Sequence, residues 1–326
     1  MKRYHISYHP YSLHIAGSQR QPRHGALLRI VNEDGTAGFA DCHPWIEFGA
    51  APLHEQLGLL ARGVLTPLTE RTMHYAHVDA EARARKVNLF KGLQIPESHY
   101  LIVDIAATGG SMMENIVQHA PRVKIKMGID VPAEIAYLRR WSKDCKLFGC
   151  KLRLDFNYRL SQQQFCNFLD SNEDLSECID FIEDPFIYDS TSWSFLRSQY
   201  KVRLSCDRDA AIGLDYPESC DVVVVKPVMQ DIVPFVSAKL GKRKLLFTTA
   251  LDHPVGVLAA AYQAAVVADA YPDVLERCGL LAHFVYEPCV FSERLGQDGM
   301  RLVPPVGGTG FGFDDLLKEL PWQPLA

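Results

Sequence analysis

The sequence lacks the marks of several whole classes of protein. It has no basic excess: 34 Lys and Arg against 39 Asp and Glu leave a formal charge of −5, so nothing would concentrate nucleic acid or an anionic membrane around it. No apolar run approaches the roughly 20 residues that a bilayer-spanning helix needs, and the opening MKRYHISYHPYSLHIAG has no continuous apolar core of the signal-peptide kind. The nine cysteines include no Cys-x-x-Cys pair, so neither a zinc knuckle nor a disulfide framework is indicated and a reducing, cytoplasmic setting is expected. His-Glu-x-x-His and the Gly-x-Ser-x-Gly elbow are also missing, which leaves His43, His253 and His283 with structural or surface roles. The glycine-rich PPVGGTGFGFDD near the end lacks the strand-to-helix setting and the following Lys-Ser or Lys-Thr of a phosphate loop.

What is present is ordinary in bulk and unusual in pattern. A hydrophobic share of 48% and a charged share of 22% over 326 residues suit a large folded core. That length fits a barrel of roughly 250 residues with a modest second domain. Residues 4–13 and 25–32 read as strands, with a turn at Glu33-Asp34-Gly35 before 36–41, and 52–91 reads as helical. After Ser98 short apolar strands alternate with helices, the grammar of parallel βα units. Eight strands are expected, at 100–105, 122–127, 151–156, 179–183, 202–207, 222–226, 245–249 and 280–286, so the fold class is α/β and the architecture a closed barrel. Between them lie helices such as Pro132 to Lys146, capped by Asp130, and Pro254 to Ala270. From Phe291 onward the alternation stops.

The strand ends carry the chemical signal. Strands buried on both faces should be continuously apolar, and an inward charge has a desolvation cost that only a partner offsets. Here five successive strands end in charge, on the face where barrels build active sites. In VKIKMG, a period of two puts Lys124 and Lys126 on one face. In KLRLDFN, Arg153, Asp155 and Asn157 share a face; IDFIEDP offers Glu183, VRLSCDRD offers Asp207, and VVVVKP ends abruptly at Lys226. Three carboxylates on successive strands suit a hard cation such as Mg²⁺. Such a cation would acidify the carbon next to a substrate carboxylate, and a lysine whose pKa is lowered by neighbouring charge could take the proton.

This ordered set (Lys-x-Lys, Asp-x-Asn, Glu-Asp-Pro, Asp207, Lys-Pro) resembles the muconate-lactonising subgroup of the enolase superfamily. The resemblance implies a (β/α)₇β TIM-like barrel over residues 99–290, with an α+β capping domain made of residues 1–98 and completed by 291–326. It implies Asp155, Glu183 and Asp207 as ligands of Mg²⁺ or Mn²⁺, Lys126 as general base, Lys226 facing it across a small carboxylate substrate, and Lys124 supporting Lys126. Asp209 stays open beside Asp207, because the family's third ligand usually precedes Glu and Cys206-Asp207-Arg208-Asp209 does not follow that form. Thr249 stands where the family places substrate-contacting serines, and Gly25 and Gly38 to Phe48 match its capping loops. KLRLDFN is similar to a run in members that dehydrate a cyclohexadiene carboxylate in menaquinone biosynthesis, and racemase or epimerase chemistry on the same scaffold stays open. Neither nucleic acid nor membrane is an expected partner.

Overall fold

The structure, a computed structural model, describes residues 4–19, 21–238 and 240–326. Its first sheet forms where the sequence alternates. Strand β1 (Tyr4–Leu13) runs antiparallel to β2 (Arg23–Asn32), and β2 to β3 (Ala37–Cys42). The turn at Asp34-Gly35 is closed by the Gly35 amide on the Asn32 carbonyl and the Thr36 amide on the Asp34 carboxylate. Helices α1 (Leu53–Ala61) and α2 (Pro67–Ala84) follow. The start of α2 is set by Thr66 and Thr69, which cap each other's backbone, and by Pro67 in the first turn.

Buried Asp79 on α2 explains the glycine-rich tail. Its carboxylate accepts the amides of Phe39 on β3 and Phe311, while Arg83 donates to Asp79 and to the Gly312 carbonyl. The PPVGGTGFGFDD segment is thus a docking turn wrapped around an ion pair. The tail also carries a short hairpin, β11 (Gly296–Asp298) with β12 (Arg301–Val303), and ends in β13 (Gln323–Pro324), which adds to the free edge of β1. The capping sheet therefore draws on both ends of the chain, in the order β13-β1-β2-β3.

The second sheet is parallel and curls toward a barrel. Its strands are β4 (Tyr100–Ile102), β5 (Arg122–Lys126), β6 (Lys151–Asp155), β7 (Ile179–Glu183), β8 (Leu204–Cys206), β9 (Val222–Val225) and β10 (Lys244–Phe247), hydrogen-bonded in that order. The crossovers are α3 (Gly110–His119), α4 (Val131–Phe148), α5 (Gln162–Ser171), α6 (Ser190–Tyr200), α7 (Ala210–Asp215) and α8 (Val233–Ser237), and α9 (Pro254–Ala270) follows β10. Asp130 and the Pro254 start act as the sequence predicts.

The two faces of each strand are told apart by packing. Val223 and Val225 join the large core between sheet and helices, whereas Val222 and Val224 meet Phe181 and Leu246 in a separate cluster inside the barrel. Lys226 continues the inward parity of Val222 and Val224, and Glu183 that of Phe181. Beneath them Arg153, fully buried, donates to Asp180, Glu276, the Arg277 carbonyl and His99 Nδ1 and lies over the Phe181 ring.

The eighth strand is a correction. Residues 280–286 are not a strand; they hold a single 3-10 turn at His283–Val285, and Leu280, Leu281 and Ala282 are buried as a packed loop. The circuit closes earlier, through bridges from Leu275 to Leu245, Gly279 to Thr248 and Cys278 to Ser98. The apolar run marked burial, while the ladder went to Leu275 to Gly279, a stretch in which Glu276 pairs with Arg153 and Arg203 of the barrel floor and the Arg277 side chain with Glu97. Gly279 permits the close approach, because a Cβ there would lie 2.5 Å from Thr248 Oγ1 and 3.0 Å from the His99 ring. Gly279→Ala is expected to lower stability by about 1–3 kcal/mol, read as a shifted urea midpoint; an unchanged midpoint would mean that the seam is loose.

Candidate active site

Register brings the strand-end residues to one level. Lys126 pairs with Asp155, Asp155 with Glu183, and Glu183 with Ser205, so four neighbouring strands present these side chains in one row. Asp207 follows two positions after Ser205, at the end of β8. Strands β5 and β9 are four steps apart in a circuit of seven strands and one closing segment, which sets Lys126 and Lys226 on opposite sides.

The ammonium groups stand between the carboxylates. Lys124 Nζ lies 2.6 Å from Glu183 Oε1 and 2.9 Å from Asp155 Oδ2, and Lys126 Nζ lies 2.6 Å from that same Asp155 oxygen. Lys226 Nζ reaches both oxygens of Asp207 at 2.5 Å. Asp209 is turned elsewhere, accepting the Tyr158 hydroxyl at 2.7 Å, so Asp207 is the acid brought to the lysines. Asn157 donates from backbone and side chain to Asp155 Oδ1. Asp184 accepts the amides of Asp207 and Arg208, which fixes the end of β8. Asn157, Tyr158 and Asp184 all hold left-handed backbone (φ +48, +64 and +43), a strain that concentrates where loops must aim functional groups.

Electrostatics separate the acids. Burial opposes the charge of Asp155, but Lys124 and Lys126 outweigh it and hold its carboxyl well below the ordinary carboxylate range. Burial, then the charge of Asp155, lifts Glu183 to about 7 against the pull of Lys124. Burial works against the Lys124 charge, yet Asp155, Glu183 and Asp207 carry its pKa above that of a free lysine. Glu183 Oε2 and the neighbouring Ser205 Oγ are buried without a hydrogen-bond partner. An orphaned carboxylate oxygen among oxygen donors fits a hard divalent cation such as Mg²⁺ or Mn²⁺. Surface grooves of 500 and 520 Å³ lie away from this row, one behind the capping sheet and one at the barrel floor.

A second donor group went unread in the sequence. Asp41, His43 and Asp252 are buried with ligand atoms all within 4.8 Å of one another, a set able to hold a divalent cation. Tyr11 donates to Asp41 Oδ1 at 2.5 Å and lies 3.2 Å from His43 Nδ1, while the His253 amide donates to Asp41 Oδ2. Gly25 makes this possible, since a Cβ there would lie 2.2 Å from the Tyr11 hydroxyl crossing it. Burial, then the charge of Asp252, pushes Asp41 well up, and burial pushes Asp252 to about 6. The available signal was Asp-x-His at the end of β3, where strand periodicity carried one residue past Cys42 puts both side chains on one side; the Asp252 partner lies too far along the chain to be paired by spacing. His43 and His253 thus belong to the seam between cap and barrel. Thr249 is buried there with Oγ1 unpartnered.

Comparison with known proteins agrees with this geometry. Residues 6–82 match the family described as O-succinylbenzoate synthase, N-terminal domain. An o-succinylbenzoate synthase of Bdellovibrio bacteriovorus is 34% identical over 330 residues, covering 98% of each chain. The chain belongs to the enolase superfamily. Its fold is that of a superfamily member of unknown role from Enterococcus faecalis (TM-score 0.74, 15% identity, 100% of both chains). It is likewise that of the dipeptide epimerase of the same organism (0.73, 17%, 96% of this chain and 99% of that one) and of the muconate lactonizing enzyme of Pseudomonas putida (0.70, 15%, 95% and 96%). As in that superfamily, the scaffold is a metal-dependent catalytic one.

Asp184→Ala is expected to cost about 1–3 kcal/mol, because the buried amide of Asp207 and the partly buried one of Arg208 lose their acceptor. Asp184→Asn, with one carbonyl oxygen left, should recover part of that loss in urea unfolding. Wild-type stability in Asp184→Ala would show that the end of β8 is held by other contacts.

Proposed function

We propose that this protein is an o-succinylbenzoate synthase, which removes water from 2-succinyl-6-hydroxy-2,4-cyclohexadiene-1-carboxylate to give 2-succinylbenzoate, a step of menaquinone biosynthesis. The observation that carries the reading is the facing of Lys126 and Lys226 across a row of strand-end carboxylates. The full-length likeness to the Bdellovibrio synthase supports the choice of substrate. Of the two donor sets, Asp155, Glu183 and Asp207 stand between the lysines, so they are the proposed catalytic ligands, Lys124 being the counter-charge that a metal would displace. A cation held there would acidify the ring carbon that bears the carboxylate.

Lys126 then takes the proton from that carbon as general base. Lys226, hydrogen-bonded to both oxygens of Asp207, faces the anionic intermediate from the other side. The hydroxyl on the neighbouring carbon leaves with the proton that Lys126 returns, so one water is lost and no redox partner is needed. We further propose that the cap and barrel divide near Ser98, with 291–326 belonging to the cap.

A second reading is racemisation of N-acylamino acids, which the same opposed lysines favour, since one can remove a proton as the other delivers it. Dipeptide epimerisation has less support. The stretch that should hold a substrate ammonium offers only Glu287, and Glu287 lies exposed with its amide bonded to the His14 carbonyl.

With Mg²⁺, the protein is expected to form 2-succinylbenzoate, followed by absorbance, and to stop on addition of EDTA. No formation at any metal concentration would remove the synthase reading. Lys126→Ala should lose roughly 10³-fold or more in turnover while binding Mg²⁺ as before; unchanged turnover would remove Lys126 as the base. Lys226→Ala separates the two chemistries: dideuterium-oxide exchange into one enantiomer of an N-acylamino acid, but not the other, is expected only if both lysines act as acid and base.

A further inference from the structure

The capping sheet presents Arg23 to the barrel, beside Tyr286 and Asp252, with one guanidinium nitrogen buried and without a partner. Register places Leu13 opposite Arg23, Tyr11 opposite Gly25 and Asp41 opposite Leu27, so Arg23, Tyr11 and Asp41 share a face, with His43 just past the end of β3 and 3.2 Å from the Tyr11 hydroxyl. That face lies on the loop after β10. The Asp41 carboxylate accepts the His253 amide, and Trp45 donates its indole hydrogen to the Ala250 carbonyl. Tyr286, a neighbour of Arg23, donates to the Leu251 carbonyl. The adjoining strand β9 ends at Lys226.

Arg23 is positioned by stacking. Its guanidinium carbon lies 3.4 Å from the centre of the Trp45 ring. Its ion pair, to Glu47 at 3.1 Å, involves a carboxylate with a 68% exposed side chain, and such pairs contribute little. The other terminal nitrogen, Nη1, is buried without an acceptor. His43 Nε2 is also buried without a partner, in a residue only 3% exposed. Nη1 belongs to a permanent cation and asks for an anionic acceptor, whereas the Tyr11 hydroxyl, its own hydrogen given to Asp41, accepts from His43 Nδ1 and leaves Nε2 as a lone-pair nitrogen.

We propose that Arg23, backed by Trp45, forms the subsite for a second carboxylate, that of the succinyl arm, while the ring carboxylate sits at the strand-end residues. This rests on the dehydration reading above, whose substrate is a dicarboxylate. Arg23 is then a specificity residue, contacting the arm and not the reacting carbons.

The test is calorimetric titration, at saturating Mg²⁺, of 2-succinylbenzoate and of 2-butanoylbenzoate, which has the same reach without the second carboxylate. Wild type is expected to prefer the succinyl compound by roughly 10- to 100-fold. Arg23→Gln, which keeps a stem against Trp45, should erase most of that preference and leave butanoyl binding unchanged. Arg23→Lys, which keeps charge without the planar fork, should retain a part of it. Wild type binding both compounds equally would overturn the subsite and leave the dehydration reading standing, as would a full preference in either variant. Wild type binding neither would overturn both.

Discussion

Charge buried inside the barrel has to be balanced level by level, and most of the site follows from that requirement. At the floor Arg153 is met by Asp180 and Glu276, with Arg203 shared between the same two acids. One level up Lys124 is held between Asp155 and Glu183, and at the mouth Lys126 and Lys226 each face an acid. Burying a lone ion costs several kcal/mol, whereas a paired and hydrogen-bonded one is tolerated. Each charge is therefore tied to the one beside it. A metal entering the row would take over the neutralising role of Lys124, which couples metal binding to the position of the lysines.

The cap is joined to this column by polar contacts as well as by a continuous apolar core. Asp41 links β3 to the loop before α9, and Trp45 reaches the Ala250 carbonyl. Arg208, next to Asp207, lies under the Phe48 ring of the cap at 4.4 Å and beside Tyr158 at 5.2 Å. Side chains beside the proposed ligands thus also touch the cover, so the cover and the row are set together.

Much of this was legible because it is local. Period-two alternation and parity put Lys124 with Lys126 and Arg153 with Asp155, and the valine run identified Lys226 as an inward charge. The ends of strands were less legible. The segment 202–207 shrinks to Leu204–Cys206, because parallel pairing stops where Asp184 takes over the amides of Asp207 and Arg208. The closing segment was misplaced, since hydrophobicity reports burial and not hydrogen-bond partners. The group of Asp41, His43 and Asp252 was invisible because it joins residues more than two hundred positions apart, and no periodicity spans that distance.

The pairing of β1 with β13, Ser7 beside Pro324 and Tyr8 beside Gln323, has a consequence for how the chain reaches this state. During synthesis β1 is made long before β13, its neighbour on one edge. Until then the edge of β1 offers unpaired backbone groups to any strand that passes, the situation in which chains aggregate or exchange segments. The barrel, whose consecutive strands are sequence neighbours, can assemble while the cap waits. Strand β13 acts as the closing stitch of the capping sheet.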